Sequence, residues 1–301
     1  MEGLTYKHFL VGAIGAVILF ILYRKFVGKK QQGPKPKPRE GAAISLGDVQ
    51  ETALIPLAIK ANESARKQPR IYDEKAVQII ADLGVDTEKY DKYFSHEGVV
   101  ARTLLFDEAT RELLEKYPEA NVVNIGCGFD DRFSRTDNGK CHWYHVDMPD
   151  LIELRCRVFG SHERQTCIAG NLVRDDWTKD IPNNRETIII AEGLFMYFTE
   201  EQVKALMAQI KSYFHHGYLL VELMPSFATG NERMHDSVKS TKAHFTFGIN
   251  DGKEMEKYCD GFTLLRESTF FEAMKRYSWI GWIGDKLFRR IMNRLAIFEF
   301  K

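Results

Sequence analysis

The feature that most constrains this chain is a short apolar run that ends in two glycines, VVNIGCGFDDRF at residues 122–133. A β-rich run followed by glycine is typical of a buried strand that ends in a turn. Gly126 and Gly128 would let the backbone approach a ligand, because neither has a Cβ. The next apolar run, HWYHV, is followed by Asp147, about 20 residues beyond the turn, where an acid can accept both ribose hydroxyls of a nucleoside. The turn and the acid together suggest a nucleoside site.

Further apolar runs alternate with segments of helical spacing after this turn. ETIIIA at 186–191 and YLLVEL at 218–223 predict buried strands, which makes four with the two runs above. DLIELRCRVFG and TEEQVKALMAQIKSYF have the spacing of helices. Strands that alternate with helices predict a parallel sheet covered on both faces, with ligands at the carboxyl ends of the strands. We therefore expect an α/β, Rossmann-like fold.

The part of the chain before these strands is predicted to be helical. Residues 48–66 have helical spacing, although Pro56 predicts a kink or a division into two helices. Asp73 and Gly84 are well suited as the N-cap and C-cap of the next helix. Residues 98–117 predict a third helix, which a proline closes.

These helices predict an N-terminal helical cap on the sheet. We expect one globular domain over residues 41–301, with the cap at about 46–117 and the α/β core at about 118–301. The sequence contains no internal repeat and no second linker.

The extreme N-terminus predicts a single membrane anchor over residues 1–28. Residues 9–23, FLVGAIGAVILFILY, contain no charged side chain, and a helix needs about 20 apolar residues to cross a bilayer. Lys7, Arg24 and Lys25 flank this run and can snorkel to the headgroups. A cleaved signal peptide and a buried helix are the alternatives.

Residues 29–40 follow as a basic linker with prolines at 34, 36 and 38, which favour extended chain. Because basic residues follow the apolar run, the positive-inside rule places the domain in the cytoplasm. The five scattered cysteines form no CxxC pair, which favours free thiols in a reducing compartment and predicts no metal site. Equal numbers of basic and acidic residues, 42 each, argue against a nucleic-acid partner.

A glycine turn after a strand has more than one interpretation. An NAD-dependent oxidoreductase needs a third glycine in G-x-G-x-x-G, where this chain has Asp131. Asp130 and Asp131 would also repel a pyrophosphate. A nucleoside with a cationic tail and no phosphate fits better, and S-adenosylmethionine has a sulfonium and an amine. In a third interpretation the turn has no ligand, and Asp147 only caps the helix that follows.

Several stretches of the chain, over roughly residues 46–300, resemble the class I methyltransferases of the leucine carboxyl methyltransferase superfamily. The similarity is greatest to its tetracenomycin-type polyketide O-methyltransferase branch. The stretches are DVQETALIPLAIKANESAR, RTLLFDE, VVNIGCGFDDRFSR, WYHVDMPDLIELR and AEGLFMYFTEEQV. The resemblance implies S-adenosylmethionine as the cofactor and methyl transfer to a carboxylate or hydroxyl oxygen of a small molecule.

The resemblance also implies a set of cofactor-binding residues, namely Arg102, Gly126, Gly128, Asp147, Asn171, Leu172 and Glu192. Arg102 would hold the methionine carboxylate through a charge-assisted fork, and the two glycines would line the methionine tail. Asp147 would bind the ribose. Asn171 and Leu172 would lie beside the adenine, and Glu192 would face the methionine amine or the site of transfer.

Lys60 departs from the family pattern, which commonly has arginine there, and lysine is a point charge that cannot form a bidentate contact. No catalytic residue is assigned. A carboxylate acceptor needs no base, whereas a hydroxyl acceptor would favour one, and His96, His235 and His244 are the candidates. The cap and residues 225–260 are expected to shape the acceptor pocket. A membrane-tethered nucleotide-binding module without catalysis remains an alternative function.

Overall fold

The computed structural model describes residues 48–230 and 244–301, and its centre is one seven-stranded sheet in the order β3-β2-β1-β4-β5-β7-β6. The strands are β1 Asn121–Ile125, β2 His142–Asp147, β3 Gln165–Ala169, β4 Thr187–Ala191, β5 Gly217–Leu223, β6 Phe262–Thr269 and β7 Arg294–Phe300. β7 runs antiparallel to both of its neighbours, and the other neighbouring strands are parallel. The predicted α/β, Rossmann-like fold is therefore confirmed.

Helices flank this sheet in the order in which the chain supplies them. They are α1 Asp48–Ser64, α2 Glu74–Leu83, α3 Thr87–Tyr90, α4 Tyr93–Lys116, α5 Arg132–Thr136, α6 Pro149–Phe159, α7 Glu200–Tyr213, α8 Phe270–Met274 and α9 Trp279–Phe288. The predicted caps of α2 are confirmed. The Asp73 side chain accepts a hydrogen bond from Ala76 N, and Gly84 has a left-handed φ of 64°.

The sequence predicted either a kink or a division at Pro56. The division is excluded, because α1 continues through Pro56 as one helix. Its neighbours Ile55 and Leu57 are buried in the cap core, so packing outweighs the one backbone hydrogen bond that proline removes. α4 begins five residues before the predicted start at residue 98.

The four predicted strands are confirmed as β1, β2, β4 and β5, and the sheet contains three further strands that the apolar pattern did not reveal, β3, β6 and β7. β3 and β6 lie at the two edges of the sheet, and several of their side chains are partly or fully exposed. An edge strand lacks the continuous apolar run that marks a strand buried on both faces. β7 is buried, but its place between β5 and β6 depends on pairing with distant parts of the chain.

Helices cover both faces of the sheet, as predicted. α7 packs on one face through side chains such as Val203 and Leu206, and α4 packs on the other through Ala101 and Phe106. α1, α2 and the start of α4 share a separate core with Phe129, which belongs to the loop after β1. The cap therefore lies against the end of the sheet where the parallel strands have their carboxyl termini.

The predicted membrane anchor at 1–28 and the linker at 29–40 lie outside the described residues. Among the helices that the structure does describe, none combines the length and the apolar character that crossing a bilayer requires.

Candidate active site

The loop after β1 forms the floor of the candidate site. Gly126 and Gly128 have φ values of 62° and 48°, in the left-handed region that disfavours a side chain. A Cβ on Gly126 would also lie 2.7 Å from Leu194 Cδ1. The Gly126 N–H donates to the carbonyl of Val146 at 2.8 Å, which ties the loop to β2. The backbone conformation thus favours glycine at both positions, and the loop presents no side chain there.

Asp147 is the last residue of β2, and the loop holds its carboxylate in place. Its Oδ2 accepts from Gly128 N and its Oδ1 from Met148 N, each at 2.8 Å. Burial raises the pKa of Asp147 above its ordinary value. Because each carboxylate oxygen has two lone pairs, both oxygens can accept a further hydrogen bond. Asp147 can therefore bind a pair of neighbouring hydroxyls.

Asn171 and Leu172 lie just after β3 in a tight turn. The side-chain oxygen of Asn171 accepts from Val173 N and Arg174 N at 3.0 and 3.2 Å. Its backbone N–H donates to Asp175 Oδ2 at 2.7 Å. Leu172 is buried in the core on the α7 side of the sheet. The turn therefore lies at the same end of the sheet as the glycine loop and Asp147.

Glu192 follows β4 directly and connects two arginines. Its Oε1 lies 2.8 Å from Arg102 Nε, and its Oε2 accepts from Arg132 Nη2 at 2.5 Å. Burial opposes ionisation of Glu192, but the two guanidinium groups prevail and lower its pKa. Arg102 Nη1 also donates to Glu222 Oε2 at 3.0 Å, and Gly193 N donates to the same oxygen at 2.9 Å. Arg102 thus lies at the end of β4, 120 residues away from its partner Glu222.

Asp130 and Asp131 are not equivalent, although the sequence reasoning treated them together. Asp130 is neutralised by Lys60 at 2.8 Å, Arg132 at 2.8 Å and Arg135 at 3.0 Å. Burial opposes its ionisation, yet these three cations hold the pKa of Asp130 well below its ordinary value. Since its charge is compensated inside the protein, Asp130 does not supply the repulsion of a pyrophosphate that the sequence suggested. The charge argument against NAD therefore does not rest on Asp130.

These ion pairs belong to one buried group that we call the site network. Its members are Lys60, Asp73, Arg102, Asp107, Asp130, Arg132, Arg135, Glu192 and Glu222. Four of these residues are cations and five are carboxylates, so the formal net charge of the network is −1. Such a site favours a ligand with a net positive charge.

The sequence reasoning missed Glu222 and Gly193. Glu222 is buried within the apolar run of β5, and an acid at the end of a buried strand was the signal that could have revealed it. Gly193 has a φ of 65°, and a Cβ there would lie 3.2 Å from Arg102 Nη1. Burial raises the pKa of Tyr197 to about 12, and the charges of Arg102 and Glu222 act on the same hydroxyl.

Tyr197 also borders a small apolar group that we call the methionine–aromatic cluster. The cluster contains Met196, Met224, Ala228 and Phe245, with Tyr197 and Phe227 packed against it. The rings of Tyr197 and Phe245 have centroids 5.5 Å apart. The cluster follows β4 and β5, so it adjoins the charged site at the same edge of the sheet. Residues 225–260 were expected to shape the acceptor pocket, and Ala228 and Phe245 of this segment belong to the methionine–aromatic cluster.

The three histidines considered as bases have different surroundings. His96 is 4% exposed, and its ring nitrogens lie 2.7 Å from Asp91 Oδ1 and 2.8 Å from Glu63 Oε2. Both of its nitrogens are therefore engaged within the cap. His244 is exposed, and His235 lies outside the described residues.

The residues at this edge fit S-adenosylmethionine. The bare glycine loop admits the methionine tail, and the Asp147 carboxylate suits a ribose. Arg102 can pair with a carboxylate, and the excess negative charge of the site network suits a sulfonium and an amine. No group of metal-ligating side chains is found within the described residues.

Comparison with known proteins bears on this site. The sequence model of the leucine carboxyl methyltransferase family matches residues 53–211, more than half of the chain. The tetracenomycin polyketide synthesis O-methyltransferase TcmP of Streptomyces glaucescens is 24% identical over 249 residues, which cover 80% of this chain and 92% of TcmP. The S-adenosyl-L-methionine-dependent methyltransferase dpfgK of Gibberella zeae is 24% identical over 270 residues, covering 82% and 90% of the two chains.

Solved structures share the fold. A protein of Thermobifida fusca assigned as a methyltransferase has a TM-score of 0.55 at 11% identity, and the match covers 87% of this chain and 97% of that one. A DUF574 family protein of Streptomyces avermitilis has a TM-score of 0.54 at 13% identity, covering 83% and 97%. At such low identity these two likenesses concern the fold alone.

Proposed function

The chain belongs to the leucine carboxyl methyltransferase family and is an S-adenosylmethionine-dependent methyltransferase, and we propose that its acceptor is a carboxylate or hydroxyl oxygen of a small molecule. The observation that supports this proposal is that the residues following four parallel strands lie together at the carboxyl ends of these strands. The glycine loop follows β1, Asp147 ends β2, Asn171 follows β3 and Glu192 follows β4. The methionine–aromatic cluster adjoins this edge and offers an apolar surface for an acceptor.

The proposed cofactor contacts follow from the charges and hydrogen bonds of the site. Asp147 accepts the two ribose hydroxyls while it stays bonded to Gly128 N and Met148 N. Arg102 turns from its carboxylate partners toward the methionine carboxylate. The sulfonium and amine carry two positive charges and the carboxylate one negative charge, so the net charge of the cofactor complements that of the site network.

When bound, S-adenosylmethionine supplies a methyl group on a positively charged sulfur. The residues of the chain then have to align the acceptor oxygen with this methyl group and keep water away. The methionine–aromatic cluster suits both tasks, because thioether and aromatic side chains adapt to an apolar ligand. Tyr197 remains neutral near pH 7, since its pKa is raised to about 12. It is therefore placed as a polar contact and not as a base.

Binding and transfer experiments test this function. Calorimetry should detect binding of S-adenosylhomocysteine and none of NAD, because S-adenosylhomocysteine is what S-adenosylmethionine becomes after it loses its methyl group. Transfer of a labelled methyl group should then be measured against carboxylates, phenols and lipid extracts. Alkali releases methanol from a methyl ester but not from an ether, so it distinguishes a carboxylate from a hydroxyl acceptor. Binding of S-adenosylhomocysteine without transfer to any class would favour the non-catalytic module, and binding of NAD would favour the oxidoreductase.

We also propose that residues 1–28 anchor the enzyme to a membrane and that residues 29–40 keep the domain on the cytoplasmic side. The uncharged run at 9–23 and the basic residues after it support this arrangement. The full chain should fractionate with membranes, and a chain that begins at residue 41 should not, while retaining cofactor affinity. Mass spectrometry of the mature protein tests the signal-peptide alternative, which predicts loss of the segment. If the shortened chain loses cofactor binding, the segment is part of the fold.

A further inference from the structure

Helix α9 has its small residues inside and its largest residues outside. Gly281 and Gly284 are buried, whereas Trp279 and Trp282 are 50% and 65% exposed. A Cβ on Gly284 would lie 2.2 Å from the ring of Phe271 in α8, and one on Gly281 would lie 2.3 Å from a backbone nitrogen just after α8. The glycines therefore allow close packing of α9 on α8. This packing leaves two tryptophans on the surface of the described structure.

The exposed tryptophans belong to a larger patch that we call the α9 surface. Its apolar members are Trp279, Trp282, Leu287 and Ile291, and its exposed basic members are Lys286, Arg289 and Arg290. The nearby carboxylates are already paired. Asp285 contacts Lys275 and Arg289, and Glu272 lies 2.9 Å from Arg289. The α9 surface therefore combines aromatic and aliphatic side chains with a positive charge.

The α9 surface is connected to the edge of the sheet that holds the site network. Asn293, just after this surface, donates to Glu222 Oε1 at 2.8 Å. Arg294 pairs with Leu223 at the carboxyl end of β5. The start of α1 lies at this edge too, since Ala53 Cβ is 3.4 Å from the position of a Cβ on Gly128. The α9 surface and the first turns of α1 therefore lie at the same end of the sheet.

We propose that the α9 surface docks on the face of a lipid bilayer with anionic headgroups, as a second contact beside the N-terminal segment. Tryptophan is enriched at the membrane–water interface, where its ring is apolar and its N–H remains hydrated. Basic side chains add attraction to anionic lipids. This proposal rests on the exposed patch and not on the methyl-transfer reaction.

Charge distinguishes the bilayer from two other occupants of the α9 surface. The N-terminal segment carries Arg24, Lys25, Lys29 and Lys30 after its apolar run, so it would bring like charge to a basic patch. A second copy of the chain would do the same in a symmetric contact. Anionic headgroups complement the basic residues of both the segment and the α9 surface.

Fluorescence quenching by brominated lipids tests the docking in the full chain reconstituted into vesicles. The chain has four tryptophans, and Trp143 and Trp177 are buried in the core. Quenching in anionic vesicles should therefore report Trp279 and Trp282. We expect the quenched fraction to be lost in the Trp279→Ser/Trp282→Ser variant and in neutral vesicles, although the N-terminal segment keeps the protein attached in each case.

A charge-reversal variant keeps the tryptophans and makes the test sharper. Lys286→Glu/Arg290→Glu should lose the quenched fraction, whereas Arg157→Glu, on the exposed face of α6, should retain it. Unchanged binding of S-adenosylhomocysteine in each variant excludes unfolding. Equal quenching in wild type and the charge-reversal variant would overturn the proposal. A dimer in sedimentation experiments that this variant abolishes would assign the α9 surface to a second copy instead.

Discussion

Two buried charge clusters lie close together in this molecule, and they differ in how completely they are paired. The cap cluster consists of Glu63, Arg66, Arg70, Asp91, His96 and Glu97. Its three carboxylates match two arginines and one histidine, so it is neutral when His96 is protonated. The site network has five carboxylates against four cations. It also has its members on both the cap and the sheet.

The difference indicates which cluster is structural and which one binds a ligand. Buried charge is costly unless partners and hydrogen bonds compensate it. The cap cluster supplies its own partners and holds α1, α4 and their connections together. The site network keeps an excess negative charge at the edge of the sheet, beside a bare loop. A positively charged ligand would neutralise the excess charge of the site network. The cap cluster has no such excess and needs no ligand.

The largest effect on stability is expected from Arg70→Ala in the cap cluster. Arg70 donates to Glu63 at 2.8 and 2.9 Å and to Glu97 at 2.7 Å. Removing it leaves Glu97 without its cation and takes one of three cationic partners from the buried Glu63, which costs about 3–5 kcal/mol of unfolding free energy. Urea denaturation measures this loss, and Arg157→Ala, which breaks an exposed pair with Glu153, should cost less than about 1 kcal/mol. The folded Arg70 variant should bind S-adenosylhomocysteine normally, and a loss of affinity would contradict the structural role of the cap cluster.

Asp147→Ala should lower the affinity for the cofactor while the protein stays folded, which is the opposite of the result expected for Arg70→Ala. The variant loses a charged acceptor of two ribose hydroxyls, at about 1.5–3 kcal/mol, which corresponds to about a 10- to 150-fold weaker affinity. Calorimetry with S-adenosylhomocysteine measures it. Asp150→Ala is the matched control, since Asp150 is an exposed acid in the first turn of α6. Unchanged affinity in the folded Asp147 variant would remove Asp147 from the site.

Arg102 tests whether the site network contacts the cofactor directly. Arg102→Ala should weaken S-adenosylhomocysteine binding about tenfold, because it removes one charge-assisted hydrogen-bonding group. Arg102→Lys should weaken it less, since it keeps the charge but loses the planar fork. Adenosine has no carboxylate and should bind the wild type and both variants equally. If both ligands weaken to the same extent, Arg102 has a structural role like that of Arg70.

The smallest effect is a pH dependence that should be confined to the cap cluster. Burial lowers the pKa of His96, but the hydrogen bonds that its ring donates to Asp91 and Glu63 outweigh this effect, so the pKa lies above its ordinary value of 6.5. A raised pKa stabilises the fold fully below the unfolded value of about 6.5, and the contribution is lost as the pH rises through the folded value. Unfolding free energy should therefore fall above pH 6.5.

His96→Gln isolates this titration, because it retains polarity without a proton that titrates near neutrality. The difference in unfolding free energy between wild type and variant should shrink as the pH rises. Cofactor affinity should not follow the same titration, since no member of the site network is a histidine. A difference that stays constant with pH would show that His96 does not change its charge in this range.

Features that depend on a few neighbouring residues could be predicted from the sequence alone. The caps of α2 at Asp73 and Gly84 follow from local hydrogen bonds and a left-handed φ. Gly126 and Gly128 mark a turn that side chains disfavour. The position of Asp147 at the end of β2 follows from an apolar run that stops at an acid. Each of these signals lies within a few residues of the feature that it predicts.

The ion pairs of the site network and the edge strands of the sheet could not be predicted, because both depend on the tertiary structure. Arg102 and Glu222 are 120 residues apart in the chain, and no local pattern pairs them. The edge strands β3 and β6 have weak apolar patterns and form because neighbours supply their hydrogen bonds. The outward tryptophans of α9 depend on the fit of Gly284 against Phe271. Local propensity acts over one turn or strand, whereas ion pairing and close packing depend on where the fold brings distant residues.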